Sequence, residues 1–212
     1  MEKAESWGKR LFGRPLFWLT IIFLVAGFQI VRAVVIGLPP LPEVYGELPA
    51  FELTDQMGRR FGSRELEGRV WIANFIFTRC PTVCPVFTEK MSKLQHRVKN
   101  ATPALHLVSF SVDPEHDTPE VLFAYARKHK ASERMWSFLT GAPETVRATV
   151  RDGLKIAWED QGIIGDVPDI LHGTHFVLVD QRARIRGYYD SDDAAAVDRM
   201  LRDAGSLLNR RE

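Results

Sequence analysis

Two cysteines stand four residues apart in Phe77-Thr-Arg-Cys80-Pro-Thr-Val-Cys84-Pro85. Thiolates ligate soft metal ions and attack disulfides, and in an oxidising compartment such a pair can also close into a disulfide. The apolar run Val70-Trp-Ile-Ala-Asn-Phe-Ile-Phe77 ends just before the pair, and an amphipathic pattern begins just after it. A strand end followed by a helix start offers unpaired backbone N–H groups and the positive end of a helix dipole, which favour thiolate over thiol. Arg79 would add positive charge if its side chain turned inward. A merely stabilising disulfide is the poorer reading, because closing so short a loop constrains the unfolded chain little.

Six histidines are candidates to complete a site. His96 falls opposite the apolar stripe of a helix and His129 near a helix end, so both read as solvated side chains. His106 sits in a buried-strand run and reads as a satisfied core residue. His116 lies in the 113–118 loop, at the carboxyl end of a strand, where open α/β sheets build sites. His172 and His175 flank Gly-Thr just before the last apolar run. Asp113 follows a buried strand and could orient a ligand or accept a proton near the thiols. Asp117 adjoins a helix start and reads as a structural partner for N–H groups there.

The elements that must position these residues follow from periodicity. Residues 70–77 are nearly all apolar and too few for an independent helix, which predicts a strand buried on both faces. Phe87, Met91, Leu94 and Val98 mark one face of a helix, and residues 105–112 a second buried strand, completing a βαβ unit. Thr118 and Pro119 open a further helix as N-cap and first residue. Short strands are expected near 51–53, after the 55–58 turn, and at 136–140; a helix at 143–151; a hairpin at 175–180 and 185–189; a closing helix at 194–208. Residues 158–171 contain Gly162, Gly165 and Pro168 and little periodicity, and read as a long loop. The fold class is α/β, a mixed sheet flanked by helices.

Residues 16–31 read LFWLTIIFLVAGFQIV, and 33–37 extend the run beyond Arg32. About 20 apolar residues cross a bilayer core, and the run exceeds the apolar region of a cleaved signal peptide. Lys3, Lys9, Arg10 and Arg14 precede it, which predicts a cytoplasmic segment 1–14, a transmembrane anchor 15–37 and a translocated remainder. The prolines of 38–47 make a stiff linker, leaving 48–212 as the folded domain. Overall 28 Lys+Arg face 27 Asp+Glu, so no basic face suggests a nucleic-acid partner.

The segment from Phe77 to Pro85 resembles the Cys-x-x-x-Cys-Pro signature of the Sco/SenC family of copper metallochaperones. Leu66-Glu-Gly-Arg-Val-Trp-Ile-Ala-Asn-Phe75 resembles that family's lead-in strand, and Ser111-Val-Asp-Pro-Glu-His-Asp-Thr-Pro119 its Ser-x-Asp-Pro-x-x-Asp-Thr-Pro stretch. Residues 173–189 resemble its last hairpin. The resemblance implies a thioredoxin-like (peroxiredoxin-type) fold binding one copper, Cu(I) or Cu(II), through Cys80, Cys84 and one histidine. Counting back from Phe176-Val-Leu-Val-Asp180 matches that histidine to His172, with His175 and His116 as substitutes. Leu171 stands where the family often has an acidic residue, and the turn Gln181-Arg-Ala-Arg184 lacks the family's usual glycine. Two thiolates and an imidazole suit Cu(I) better than zinc, which usually takes a fourth ligand. Family members deliver copper to the CuA site of cytochrome c oxidase or reduce its cysteines. That implies a single-pass protein of the bacterial inner membrane with its domain in the periplasm, or of the mitochondrial inner membrane. The rival reading is a membrane-tethered thiol–disulfide oxidoreductase using the Cys80–Cys84 pair without metal, although redox pairs usually have two residues between their cysteines. A peroxidase is disfavoured because Pro-x-x-x-Thr-x-x-Cys is not met.

Overall fold

The computed structural model describes residues 15–36, 40–81, 83–157, 159–164, 167–171 and 174–210, with backbone alone at 30, 33–36, 159–164 and 167–171. The chain divides into two units, residues 1–40 and 41–212. In the first, α1 (Pro15–Ile36) is a 22-residue helix that exposes Leu16, Leu19, Ile22, Phe23, Leu24 and Phe28. Among the described residues no helix is long and apolar enough to cross a membrane.

The second unit is built on an eight-stranded mixed sheet. Its elements in chain order are β1 (Gly46–Glu47), β2 (Glu52–Asp55), β3 (Arg60–Gly62), α2 (Ser63–Leu66), β4 (Val70–Ile76), α3 (Val83–Val98), β5 (Leu105–Ser111), α4 (Pro119–Lys128), β6 (Trp136–Thr140) and α5 (Pro143–Arg147). They continue with β7 (Glu159–Ile164), β8 (Val167–Leu171), β9 (His175–Val179), β10 (Arg184–Asp190) and α6 (Ala194–Asn209). The strand order is β1-β10-β9-β4-β5-β6-β2-β3. The centre, β4-β5-β6, is parallel, and β9 joins it antiparallel to β4.

Every residue of β4, β5 and β6 is buried, as expected of strands covered on both faces. Side chains alternate between two cores. Val70, Ile72 and Ile76 meet Phe87, Met91 and Leu94 of α3, Leu122 of α4 and Met200 of α6. Trp71, Ala73 and Phe75 meet Leu48, Leu66, Val146 and Leu154 on the other side. The predicted caps form: Thr118 accepts a hydrogen bond from Val121 N, with Pro119 in the first turn of α4.

Three details go beyond the sequence reading. The helix foreseen over 143–151 forms, as an α-helix at Pro143–Arg147 that widens into a π-helix at Ala148–Gly153. Residues 158–171 are not a structureless loop, because β7 and β8 pair as an antiparallel hairpin in a sheet of their own. A register shift between Asp160 and Ile163 breaks the alternation that would otherwise have revealed it. β1 and α2, with 2 and 4 residues, are too short to register as patterns.

Candidate metal centre

β4 carries the chain up through the core and ends at Ile76, and the buried Phe77 follows. A tight turn comes next, where Cys80 N donates to Phe77 O at 3.2 Å, and α3 begins at Val83. Cys84 therefore lies in the first helical turn, where backbone N–H groups have no partner within the helix. One of them is used: Cys84 N donates to Cys80 Sγ at 3.4 Å. Cys80 is 8% exposed and Cys84 fully buried, and both are held as thiols rather than a disulfide. Sequence spacing thus brings the two sulfurs to one helix N-terminus, as expected.

Their electrostatics differ from expectation. Burial pushes the Cys84 thiol well above its ordinary range; a backbone hydrogen bond from Phe77 pulls the other way, while Cys80 and Asp117 raise it further. Desolvation is the largest influence on this thiol. Burial thus favours the thiol over the thiolate at Cys84, against the thiolate expected from its place at a helix start.

Arg79 does turn inward, but towards a carboxylate. Its Nε and Nη2 lie 3.0 and 2.8 Å from Asp113 Oδ2. Asp113 is thus ion-paired with Arg79. Asp117, fully buried, accepts from Thr78 N at 3.1 Å, Thr78 Oγ1 at 2.5 Å and Ser111 Oγ at 2.6 Å. It was expected to serve the start of the following helix. Thr118 already caps that start, and Asp117 instead reaches across to the loop that bears Cys80. Thr78 and Ser111 were given no role from sequence; the signal was their place in the two stretches that carry the family resemblance, each two residues before Cys80 or Asp113. One turn below Cys84, Thr88 Oγ1 and Tyr125 OH share a buried 2.8 Å hydrogen bond.

The histidines sort unevenly. His96, His116 and His175 are exposed; His116 N donates to Asp113 O at 3.1 Å, and His175 opens β9. His129 is not simply solvated: its ring lies 4.5 Å from that of Tyr125. His106 is a core residue but only half satisfied. Nε2 lies 2.9 Å from Ser137 Oγ, while Nδ1 has no partner among the described residues, and burial pushes the ring down to about 4. His172 lies outside the described residues. Among those that are described, no three His, Cys, Asp or Glu side chains gather to hold a metal ion. Cys80 and Cys84 are two buried free thiols at one helix start.

Residues 43–208 match the SCO1/SenC family. A SCO1/SenC family lipoprotein from Bacillus anthracis str. Ames has a solved structure that superposes with a TM-score of 0.70 at 34% identity, covering 79% of this chain and 99% of that one. The structure of BsSco, in which a disulfide switch was identified, belongs to the Sco family of cytochrome c oxidase assembly proteins. It gives 0.68 at 28% identity, covering 81% and 100%. A Stutzerimonas stutzeri protein provisionally named for copper binding is 32% identical over 145 residues, 66% of this chain and 68% of its own length. The thioredoxin-like sheet with flanking helices implied by the resemblance is the fold shared with these structures. With its match spanning nearly the whole second unit, the chain belongs to the SCO1/SenC family.

Proposed function

We propose that this protein is a membrane-anchored copper metallochaperone in which Cys80, Cys84 and His172 hold one copper ion for delivery to the CuA site of cytochrome c oxidase. The observation that carries the reading is the pair of sulfurs at the start of α3, linked by the Cys84 N to Cys80 Sγ contact of 3.4 Å. Two thiolates and a neutral imidazole make a low-coordinate, soft donor set suited to Cu(I). The copper-binding name of the Stutzerimonas stutzeri relative and the assembly role named for the BsSco family support the same assignment. His172 is the ligand by its place before β9, and His175, three residues on, is exposed at the strand start.

Residues 15–37 serve as the anchor in this reading. The helix has 22 residues with no acidic or lysine side chain, and basic residues precede it, placing 1–14 in the cytoplasm and 48–212 across the membrane, beyond the 38–47 linker. That a Bacillus anthracis relative is a lipoprotein supports a membrane location by another kind of anchor.

A second reading, thiol reduction of the client by Cys80 and Cys84, is supported by the disulfide switch named for BsSco. The deciding experiment is an anaerobic Cu(I) titration of the reduced full chain in detergent against a chromophoric chelator. It includes His172→Ala, His175→Ala, His116→Ala and the double Cys→Ser variant. One tight equivalent, abolished without the cysteines and weakened at least tenfold by His172→Ala alone, is expected. Weak binding, or indifference to every histidine, would replace the chaperone reading with dithiol exchange.

A further inference from the structure

Asp117 is fully buried, and its carboxylate meets two hydroxyls and a backbone N–H rather than a cation. A buried carboxylate without a counter-ion is expensive, so packing alone gives no reason for an aspartate here. Its hydrogen bonds show what it secures. Thr78 uses both its backbone N–H and its hydroxyl on this one side chain, 39 residues away in sequence. Thr78 is two residues before Cys80, in the turn that sets the height of Cys80 Sγ over the start of α3. The carboxylate is itself held: Ser111 Oγ donates to it from the end of β5, and Asp117 N donates to Asp113 O at 2.9 Å. The loop that bears Cys80 is thereby fastened to the adjacent β5–α4 loop at a fixed point. Arg79 and Asp113 form a second fastening one residue closer to Cys80, but Arg79 is 31% exposed and an ion pair open to solvent restrains less.

We infer that Asp117 is a positioning residue for the cysteine pair: through Thr78 it fixes the Cys80 backbone, so that both sulfurs already stand where a metal ion needs them. The inference rests on the reading of Cys80 and Cys84 as metal ligands. Ligands held in place before binding lose less freedom on binding, and the difference appears as affinity.

The test compares wild type, Asp117→Ala, Thr78→Val and Thr78→Ser, as full chains in detergent and well below each variant's unfolding temperature. Cu(I) affinity is read by chelator competition. The dithiol equilibrium is read against glutathione, in which the protein dithiol and one oxidised glutathione give the protein disulfide and two reduced glutathiones. Asp117→Ala is expected to weaken Cu(I) at least tenfold. Thr78→Val, which removes only the hydroxyl donor, should weaken it several-fold, and Thr78→Ser should restore it to within twofold of wild type. Variants that melt lower yet bind Cu(I) as wild type does would make Asp117 a stability residue only and overturn the inference. If Asp117→Ala does not fold, the Thr78→Val and Thr78→Ser pair decides alone. If wild type itself takes no copper, the proposed function fails separately, and the glutathione equilibrium takes over. A tenfold shift in Thr78→Val, about 30 mV for this two-electron couple, would then support positioning, and an unchanged equilibrium would overturn it.

Discussion

Asp117 and Asp180 are buried carboxylates at opposite ends of the central strands. β4 runs towards Cys80, and β9 pairs antiparallel with it, Trp71 opposite Val179, so Asp180 sits at the end where β4 begins. Asp180 accepts from Arg182 N and Arg184 N at 2.9 Å each, from Arg184 Nε at 2.8 Å and from Arg186 Nε at 2.7 Å. Burial alone would raise it, but the Arg184 N–H, the Arg186 guanidinium and the Arg182 N–H together hold its carboxyl below the usual range. Asp117 has no such help: burial pushes it up, and the hydrogen bonds from Ser111 and Thr78 only reduce the effect. The two therefore act on stability with opposite signs. Asp180 contributes stability that is present above the unfolded carboxyl pKa of ~3.9 and is lost as pH falls through its lowered value. Asp117 costs stability as pH rises from that same point. A carboxylate matched by guanidinium groups serves the fold; one held only by neutral donors beside a thiol pair makes sense through the site.

Removing each carboxylate would separate the two roles. Asp180→Ala removes the carboxylate that the buried Arg186, 4% exposed, meets at 2.7 Å. Breaking a buried pair in this way costs about 3–5 kcal/mol, measurable by denaturant unfolding followed through the buried Trp71 and Trp136. Cu(I) affinity of the folded variant should stay within twofold of wild type. A loss below about 1 kcal/mol, or weakened copper binding, would erase the distinction between the two ends.

A third buried group, His106, adds an acid sensitivity of its own to those of the two carboxylates. Its folded ring is pushed down to about 4 by burial, whereas the unfolded ring titrates near ~6.5. The unfolded state takes the proton first, so stability is full above about pH 6.5 and falls as pH drops towards 4, where the folded ring also protonates. At 1.36 kcal/mol per unit the loss is about 3 kcal/mol. Unfolding curves at pH 7.5 and 4.5 should show it in wild type and much less of it in His106→Gln. What slope remains in that variant can then be assigned to carboxylates such as Asp180 and Asp117. An unchanged slope in His106→Gln would mean that other groups set the acid sensitivity.

The parts legible in sequence were those encoded locally. Strands β4, β5 and β6 are apolar runs, α3 has a helical stripe, and the cysteine pair lies at the junction between run and stripe. Contacts closed over long separations were not legible. Nothing near Asp117 in sequence names Thr78 as its partner, because the sheet's parallel pairing of β4 with β5 brings their following loops together. The fate of Arg79 was invisible for the same reason, being settled by Asp113, 34 residues on. His106 looked like an ordinary core residue because a strand pattern reports burial, not whether both ring nitrogens find partners. The β7–β8 hairpin was missed because its pairing carries a register shift that blurs the alternation.

The turn held by Asp180 also bears the smallest expected effect. Ala183 adopts φ 58°, a left-handed conformation that costs an L-residue roughly 1–2 kcal/mol. The structure accepts that cost because the turn is pinned on several sides: Ala183 N donates to Asp180 O at 3.1 Å, and Ala183 O accepts from Leu48 N at 2.8 Å. Ala183→Gly relieves the strain but gives the unfolded chain more freedom, a penalty of roughly 0.5–1 kcal/mol. The net gain should be about 0.5–1 kcal/mol, seen as a higher denaturant midpoint at unchanged slope. Of the three non-glycine residues described with positive φ, Lys130, Lys155 and Ala183, none lies in the loop that bears Cys80. Copper affinity should therefore be untouched by Ala183→Gly. A destabilised variant would mean that the alanine methyl packs favourably enough to offset its backbone. The Asp180 end would then depend on side-chain contact as well as on its ion pairs.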